Sequence, residues 1–255
     1  IMNAQKSEEY QLVLPGGVKM AFVYVSAGDF LMGADEDDEE AYDHEKPQHK
    51  VYLDGYWIGK YPVTNEQYRS FVQHVGEGYP EFADRFTDPQ KHHHPVVGVN
   101  WRNAEKYCQW LTQHSGERLG LPTEAQWEKA ARGTDGRKYP WGDRVPTRRL
   151  ANYEKNIGDT TSVGSYPKAT SPYGALDMAG NVLEWVADRY DEYYYSRSPD
   201  ENPTGPPGRF QVVRGGSWGL SQWNLRVSSR LGYLSDYSSK DIGFRCLRLP
   251  YPTDP

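Results

Sequence analysis

The sequence predicts an α+β domain with little regular secondary structure, and three observations point there. The 255 residues include 25 Gly and 18 Pro; Gly frees the backbone and Pro locks it, so punctuation this dense leaves room only for short elements. Hydrophobic content is just 37%, yet 8 Trp, 20 Tyr and 7 Phe supply large core pieces, whose polar edges call for hydrogen bonds inside the fold. Three helix-start signatures also stand beside stretches that alternate in the manner of strands. No long linker, internal repeat or low-complexity tract divides the chain. One domain is therefore expected over residues 18–250, preceded by an N-terminal extension over 1–17.

Along the chain, Val18 to Phe30 reads as strand-like pieces closing on Gly28-Asp29. Met32-Gly33 then opens an acidic run from Asp35 to Glu40 that continues through Asp43, His44 and Glu45. Its oxygens invite a calcium reading, but the ligand spacing of an EF-hand loop is missing, and a solvated loop face explains it. Residues 49–58 alternate with aromatics along them, as a hairpin arm would. Thr64-Asn-Glu-Gln67 forms a capping box and predicts a helix over about 65–75. Asn100 caps a second helix, in which Ala104, Tyr107, Cys108 and Leu111 recur at i, i+3, i+4 and i+7 and make the buried stripe. Thr123-Glu-Ala-Gln126 is another capping box; Pro122 stiffens its entry, and Trp127, Ala130 and Ala131 face inward. From Gly133 onward the chain is turn-rich.

Charge and composition remove several function classes. The net charge is −6 and no Lys/Arg cluster stands out, so nucleic acid is not the expected partner. No apolar stretch approaches the roughly 18 residues of a membrane span, and the first dozen residues lack a signal-peptide core, so no membrane insertion and a cytoplasmic location are expected. Two cysteines, Cys108 and Cys246, allow at most one bridge and exclude a disulfide framework or a four-thiolate zinc site.

The C-terminal part carries the functional signal. Arg214-Gly-Gly-Ser-Trp218 and Ile242-Gly-Phe-Arg-Cys246 bracket a stretch with neither a helical nor a strand period. It contains Gly219, Leu220, Ser221, Gln222, Trp223, Asn224, Ser229, Leu231, Tyr233, Leu234, Asp236 and Tyr237. Flat aromatic side chains beside small adaptable polar ones are the composition of binding loops, because Tyr and Trp give contact area at little rotamer cost. These twelve residues are expected to form a surface for a protein or other macromolecular ligand, helped by Trp101 or by Tyr193-Tyr-Tyr195. Catalytic machinery is not apparent. Gly215-Gly-Ser-Trp-Gly219 matches the nucleophile-elbow pattern, but no helical period follows Ser217 and the last histidine is His114. His92, His93 and His94 are consecutive, and successive side chains on an extended backbone diverge rather than converge on one ion.

Eight motifs, in one order, carry a family resemblance. Gly28-Asp-Phe-Leu-Met-Gly33, Pro62-Val-Thr-Asn-Glu-Gln-Tyr68, His94-Pro-Val-Val-Gly-Val-Asn-Trp101, Leu121-Pro-Thr-Glu-Ala-Gln-Trp-Glu128, Tyr139-Pro-Trp-Gly142, Gly180-Asn-Val-Leu-Glu-Trp185, Arg214-Gly-Gly-Ser-Trp218 and Gly243-Phe-Arg245 together resemble the formylglycine-generating enzymes, or sulfatase-modifying-factor domain. The resemblance implies an elaborated C-type-lectin-like fold. It implies an oxygenase only if two cysteines after the Gly-Gly-Ser segment hold copper, since a cuprous ion wants soft thiolates. Residues 218–230 contain none, so no copper and no such activity are expected. The resemblance also brings Cys108 and Cys246 close together, as a structural pair.

By the same resemblance a structural calcium ion is expected at Asp177, Gly180, Val182 and Glu184, through mixed side-chain and backbone oxygens. A second would fall at Asn152, Tyr153, Asp159 and Thr161. The alternative is that Glu184 serves only local hydrogen bonds. Variable proteins of diversity-generating retroelements share this fold and vary between the Gly-Gly-Ser-Trp and Gly-Phe-Arg anchors. Gly219, Leu220, Ser221, Ser229, Leu231, Gly232, Tyr233, Leu234 and Tyr237 stand where Asn is typical of the unmutated template, and adenine substitution of an Asn codon reaches each of them. The expected function is a non-enzymatic, receptor-like binding protein; the alternatives are a diverged sulfatase-modifying oxidoreductase and a scaffold domain of a larger signalling protein.

Overall fold

The computed structural model describes residues 9–76, 81 and 84–250. Each predicted cap opens a helix. Thr64 Oγ1 accepts the Gln67 amide at 3.3 Å while Gln67 Oε1 accepts the Thr64 amide at 2.9 Å, which starts α1 (Asn65–Val75). A four-residue α2 (Asp84–Thr87), which no sequence signature announced, follows. Asn100 Oδ1 accepts the Asn103 amide at 2.9 Å to open α3 (Trp101–Ser115), and Thr123 with Gln126 opens α4 (Glu124–Arg132). Gly76 and Gly116 close α1 and α3 in the left-handed conformation that needs no Cβ. Ala104, Tyr107, Cys108 and Leu111 are all buried, together with Trp110.

Eleven strands are described, in three sheets. β1 (Glu9–Val13), β2 (Lys19–Val25), β5 (Tyr56–Gly59), β11 (Leu247–Arg248) and β6 (Leu119–Gly120) make an antiparallel five-stranded sheet in the order β1-β2-β5-β11-β6. β3 (Gly28–Met32) pairs only with β4 (His49–Leu53). β7 (Leu183–Arg189), β8 (Phe210–Arg214), β9 (Arg230–Leu234) and β10 (Ile242–Phe244) form the third sheet, ordered β10-β7-β8-β9, with β10 parallel to β7. Residues 49–58 are not one continuous arm: the chain breaks at Asp54–Gly55, so that β4 is the antiparallel arm paired with β3 while β5 joins the five-stranded sheet, and at the break a Cβ on Gly55 would lie 2.3 Å from the Tyr24 hydroxyl. The expected extension over 1–17 lies partly outside the described residues. Its described part supplies β1, whose Leu12 is buried, so the sheet begins ahead of residue 18.

The helices α1 and α3 cover one apolar cluster built around Phe71, Tyr107, Trp110 and Phe244, and α4 covers another around Trp127 and Val212. Between them lie charges that composition did not reveal. Arg214, Arg226, Arg230 and Arg245 are at most 1% exposed. Arg214 pairs with Glu128; Arg226 Nη2 lies 2.8 Å from Glu45 Oε1; Arg230 Nε lies 2.7 Å from Glu124 Oε1; Arg245 Nε lies 2.6 Å from Glu184 Oε2. Burial alone would raise Glu124, but Arg230 and Arg214 hold it below the usual carboxylate range. Pairs of this kind tolerate loss of one partner badly, so they fix the loops they join. Cys108 and Cys246 are buried free thiols with sulfurs 3.7 Å apart.

Candidate functional site

The site is built on the glycine pair after β8. Gly215 and Gly216 have φ of 93° and 70°, and a Cβ on Gly216 would meet the Asn224 carbonyl at 2.7 Å, so the turn admits no side chain. Ser217 then donates to Asp241 Oδ2 at 2.7 Å, which ties the start of the segment to its end. The Trp218 carbonyl accepts the Lys155 amide at 2.7 Å and the Leu220 carbonyl accepts the Glu154 amide at 2.8 Å. A neighbouring loop is thus laid along residues 218–220.

These contacts frame a cleft of about 360 Å³ lined by Lys155, Leu183, Trp218, Gly219, Leu220, Tyr233, Tyr237, Ser239, Lys240, Asp241 and Ile242. Tyr233 and Tyr237 stack with ring centres 4.7 Å apart and planes 12° off parallel. The Lys240 ammonium sits 5.2 Å over the Trp218 ring. Asp241 Oδ1 also takes the Ser239 hydroxyl at 2.5 Å, so the carboxylate is held by two hydroxyls. Burial pushes the Tyr233 phenol above its ordinary value, leaving it a neutral hydrogen-bonding group at pH 7. Rigid aromatic faces beside a fixed carboxylate and two ammonium groups can hold a ligand.

Of the twelve expected binding residues, Gly219, Leu220, Tyr233 and Tyr237 line this cleft, and Leu231 packs beneath it against the helical cluster. Strand alternation sends Leu234 to the opposite face, where it pairs with Phe210 across the sheet. Ser221, Gln222, Trp223 and Asn224 belong to a short 3₁₀ turn and its cap; Trp223 is 44% exposed. Asp236 is exposed at the turn after β9. Ser229 is buried, with its carbonyl accepting from Arg214 at 2.9 Å, which makes it framework rather than surface. The structure does not bring the proposed helpers to the cleft: Trp101 Nε1 donates to the Val186 carbonyl, and Tyr194 and Tyr195 are buried. Sequence reasoning missed Lys155, Leu183, Trp218, Ser239, Lys240, Asp241 and Ile242. Trp218, Lys240, Asp241 and Ile242 adjoin the two anchors and were within reach of it; Lys155 and Leu183 arrive by tertiary contact alone.

Ser217 has its hydroxyl committed to Asp241, and His94 Nδ1 lies 2.9 Å from Thr160 Oγ1. Among the described residues no three His, Cys, Asp or Glu side chains gather as a metal site. In the first expected calcium loop, Asp177 Oδ2 accepts the Gly164 amide at 2.7 Å; burial lifts its pKa to about 6 against that bond. Glu184 takes Arg245 on both oxygens and Trp127 Nε1 at 2.8 Å. In the adjoining loop, Asp159 would be raised by burial but is held at about 2 by Lys91 and Arg85. Tyr153 donates to the Pro146 carbonyl and the Thr161 amide to Asn181 Oδ1. Within the two expected ligand sets, Asn152 has a buried side-chain oxygen, Oδ1, without a hydrogen-bond partner among the described residues, the kind of oxygen that suits a hard cation.

A family model described as the sulfatase-modifying factor enzyme 1-like domain matches residues 15–250. The serine/threonine-protein kinase pkn1 of Chlamydia pneumoniae is 35% identical over 92% of this chain, and the chain spans 39% of that relative's length. The formylglycine-generating enzyme of Streptomyces coelicolor is 32% identical, with 88% of each chain covered. Among solved structures, Treponema denticola variable protein 1 matches with a TM-score of 0.79 and 25% identity over 95% of this chain and 99% of its own.

Proposed function

Because this chain belongs to the sulfatase-modifying factor enzyme 1-like family and has its C-type-lectin-like α+β fold, we propose that it is a non-enzymatic, receptor-like binding protein whose ligand seats in the cleft between Trp218 and Tyr237. The observation that carries this reading is the division of labour within one segment. Leu225, Arg226, Val227, Ser228, Ser229 and Arg230 are buried framework, whereas Gly219, Leu220, Tyr233 and Tyr237 reach the cleft and Trp223 and Asp236 reach the surface. Such a segment can change its surface residues without touching the residues that hold it, as a diversified site requires. The missing thiolates support the same reading. The only cysteines, Cys108 and Cys246, are buried against each other in the helical cluster, and residues 218–230 offer no soft ligand for copper.

The ligand class we propose is a protein or other macromolecule, anchored by the stacked tyrosines and positioned by Asp241 and the two lysines. A calcium ion bracing the two adjoining loops is likewise a proposal; Asn152 Oδ1 supports it, while Arg245 already supplies the positive charge that Glu184 faces.

The test is to sequence the 3′ end of this gene and its downstream flank across many isolates. Substitutions concentrated at codons 219–237, confined to adenines of a near-identical downstream repeat and sparing Gly215–Trp218 and Gly243–Arg245, are expected. An invariant segment would refute diversification and leave a fixed ligand, a scaffold role or a lost enzyme.

A further inference from the structure

We propose that a second cavity, on the side of the molecule where His44 and Tyr190 pack together, binds an organic cation: an alkylated ammonium or a guanidinium. The cavity measures about 400 Å³, and Tyr42, His44 and Tyr193 line it together with the carboxylates of Asp43 and Glu192. Tyr42 and Tyr193 are 56% and 67% exposed, so both rings are open to a ligand from solvent. The His44 ring lies parallel to Tyr42 at 5.4 Å and edge-on to Tyr190 at 6.0 Å. The Glu192 carboxylate stands near enough to the Tyr193 phenol to raise its pKa, which puts a negative charge beside that ring. Electron-rich faces with carboxylates at their edge attract a cation that is too weakly hydrated to prefer water, and not a small metal ion.

Two facts make this a built cavity and not a chance gap between loops. Arg230 spans both of its walls: Nη1 donates to the His44 carbonyl at 3.1 Å and to the Asp191 carbonyl at 3.0 Å, while Nε and Nη2 are clamped by Glu124. Glu45, next to His44, is in turn held by Arg226. The walls are therefore fixed before any ligand arrives. The charge balance also fits. Lys46 is the one cationic side chain lining the cavity, and it donates to the Glu36 carbonyl at 2.8 Å. Burial holds His44 below its ordinary pKa, so the imidazole is neutral at pH 7. Just beneath, the Arg230 guanidinium already lies 4.9 Å over Tyr190 and 4.3 Å over Tyr195, so the neighbourhood uses the same chemistry internally.

The experiment is an NMR titration of the whole chain with tetramethylammonium chloride and, separately, with N-acetyl-arginine amide, against potassium chloride at equal ionic strength. Saturable amide shifts at His44 and Tyr193 are expected, weakened about tenfold by the Tyr42→Ala/Tyr193→Ala double variant, with its melting temperature little changed because both rings are mostly exposed. Saturation by tetramethylammonium alone identifies a free quaternary ammonium ligand; saturation by the arginine amide identifies a basic side chain on a partner protein. Potassium shifts of equal size, absence of saturation with both probes, or undiminished binding by the double variant would overturn the proposal. None of these outcomes depends on whether the Tyr233–Tyr237 cleft binds anything.

Discussion

Replacing Arg226 with Met tests whether the segment between the anchors really is a fixed frame carrying replaceable positions. Arg226 is fully buried; Nη2 lies 2.8 Å and Nη1 2.5 Å from the two Glu45 oxygens, and Ser228 Oγ adds a third bond to Glu45 at 2.7 Å. Truncation leaves a buried carboxylate with a hydroxyl as its nearest strong donor, and loss of one member of such a pair costs about 3–5 kcal/mol. For a domain whose whole stability is of order 5–15 kcal/mol, that is a large fraction. Replacing both members, Arg226→Met with Glu45→Met, removes the stranded charge, and the double variant is expected to recover most of the loss. Asp236→Tyr, on the exposed turn a few residues away, is expected to stay within about 0.5 kcal/mol of wild type. Urea unfolding followed by tryptophan fluorescence measures all three. An Arg226→Met loss below about 1 kcal/mol, or no recovery in the double variant, would refute the frame argument.

Further outcomes follow from individual groups. Asp188 is buried, and burial together with Glu124 lifts its pKa to about 7. A raised carboxyl pKa contributes stability that is complete below its unfolded value and lost as pH rises through 7, so wild type is expected to gain roughly 1 kcal/mol between pH 8 and pH 6 that Asp188→Asn does not; parallel curves would contradict the assignment. Burial and the adjacent Cys108 push the Cys246 thiol well above its usual range, so iodoacetamide at pH 8 is expected to leave both cysteines unmodified in the folded protein, and fast alkylation by mass spectrometry would show the pair to be accessible. If calcium braces the loops at Asn152 and Asp177, millimolar calcium raises the melting temperature by about 2–4 °C over chelator; an unchanged value removes the ion. With a cysteine-containing peptide and copper, oxygen consumption is expected to stay at background.

What the sequence disclosed and what it hid divide along physical lines. The helix starts were legible because a capping box is a local bargain between residues three apart, and Thr64, Asn100 and Thr123 each behave as their side chains require. The anchors of the candidate site were legible because Gly215 and Gly216 sit where only glycine fits. Which residues between the anchors face one cleft was not legible, because Leu231 and Tyr233 share a strand with Leu234 and the register that separates them comes from pairing β9 with β8. The buried arginines were hidden for a related reason: Arg226 and Glu45 lie 181 residues apart, and nothing local marks either as a core residue.

That hidden network explains how a loop-rich chain of modest hydrophobicity can hold the proposed binding surface in place. A segment without a helix or strand ladder has many backbone carbonyls to satisfy, and the guanidinium groups satisfy them: Arg214 takes the carbonyls of Val227, Ser228 and Ser229, Arg245 those of Gly59 and Leu176, and Arg230 those of His44 and Asp191. Each guanidinium offers five donors in a fixed plane, so one side chain can bond a carboxylate and several carbonyls at once. An apolar replacement would fill the same volume and leave those carbonyls orphaned. At these three arginines the frame is therefore polar by necessity, unlike the Arg226–Glu45 pair, and because their donors reach main-chain atoms, side chains at positions such as 219, 233 and 237 are expected to be replaceable without loosening it.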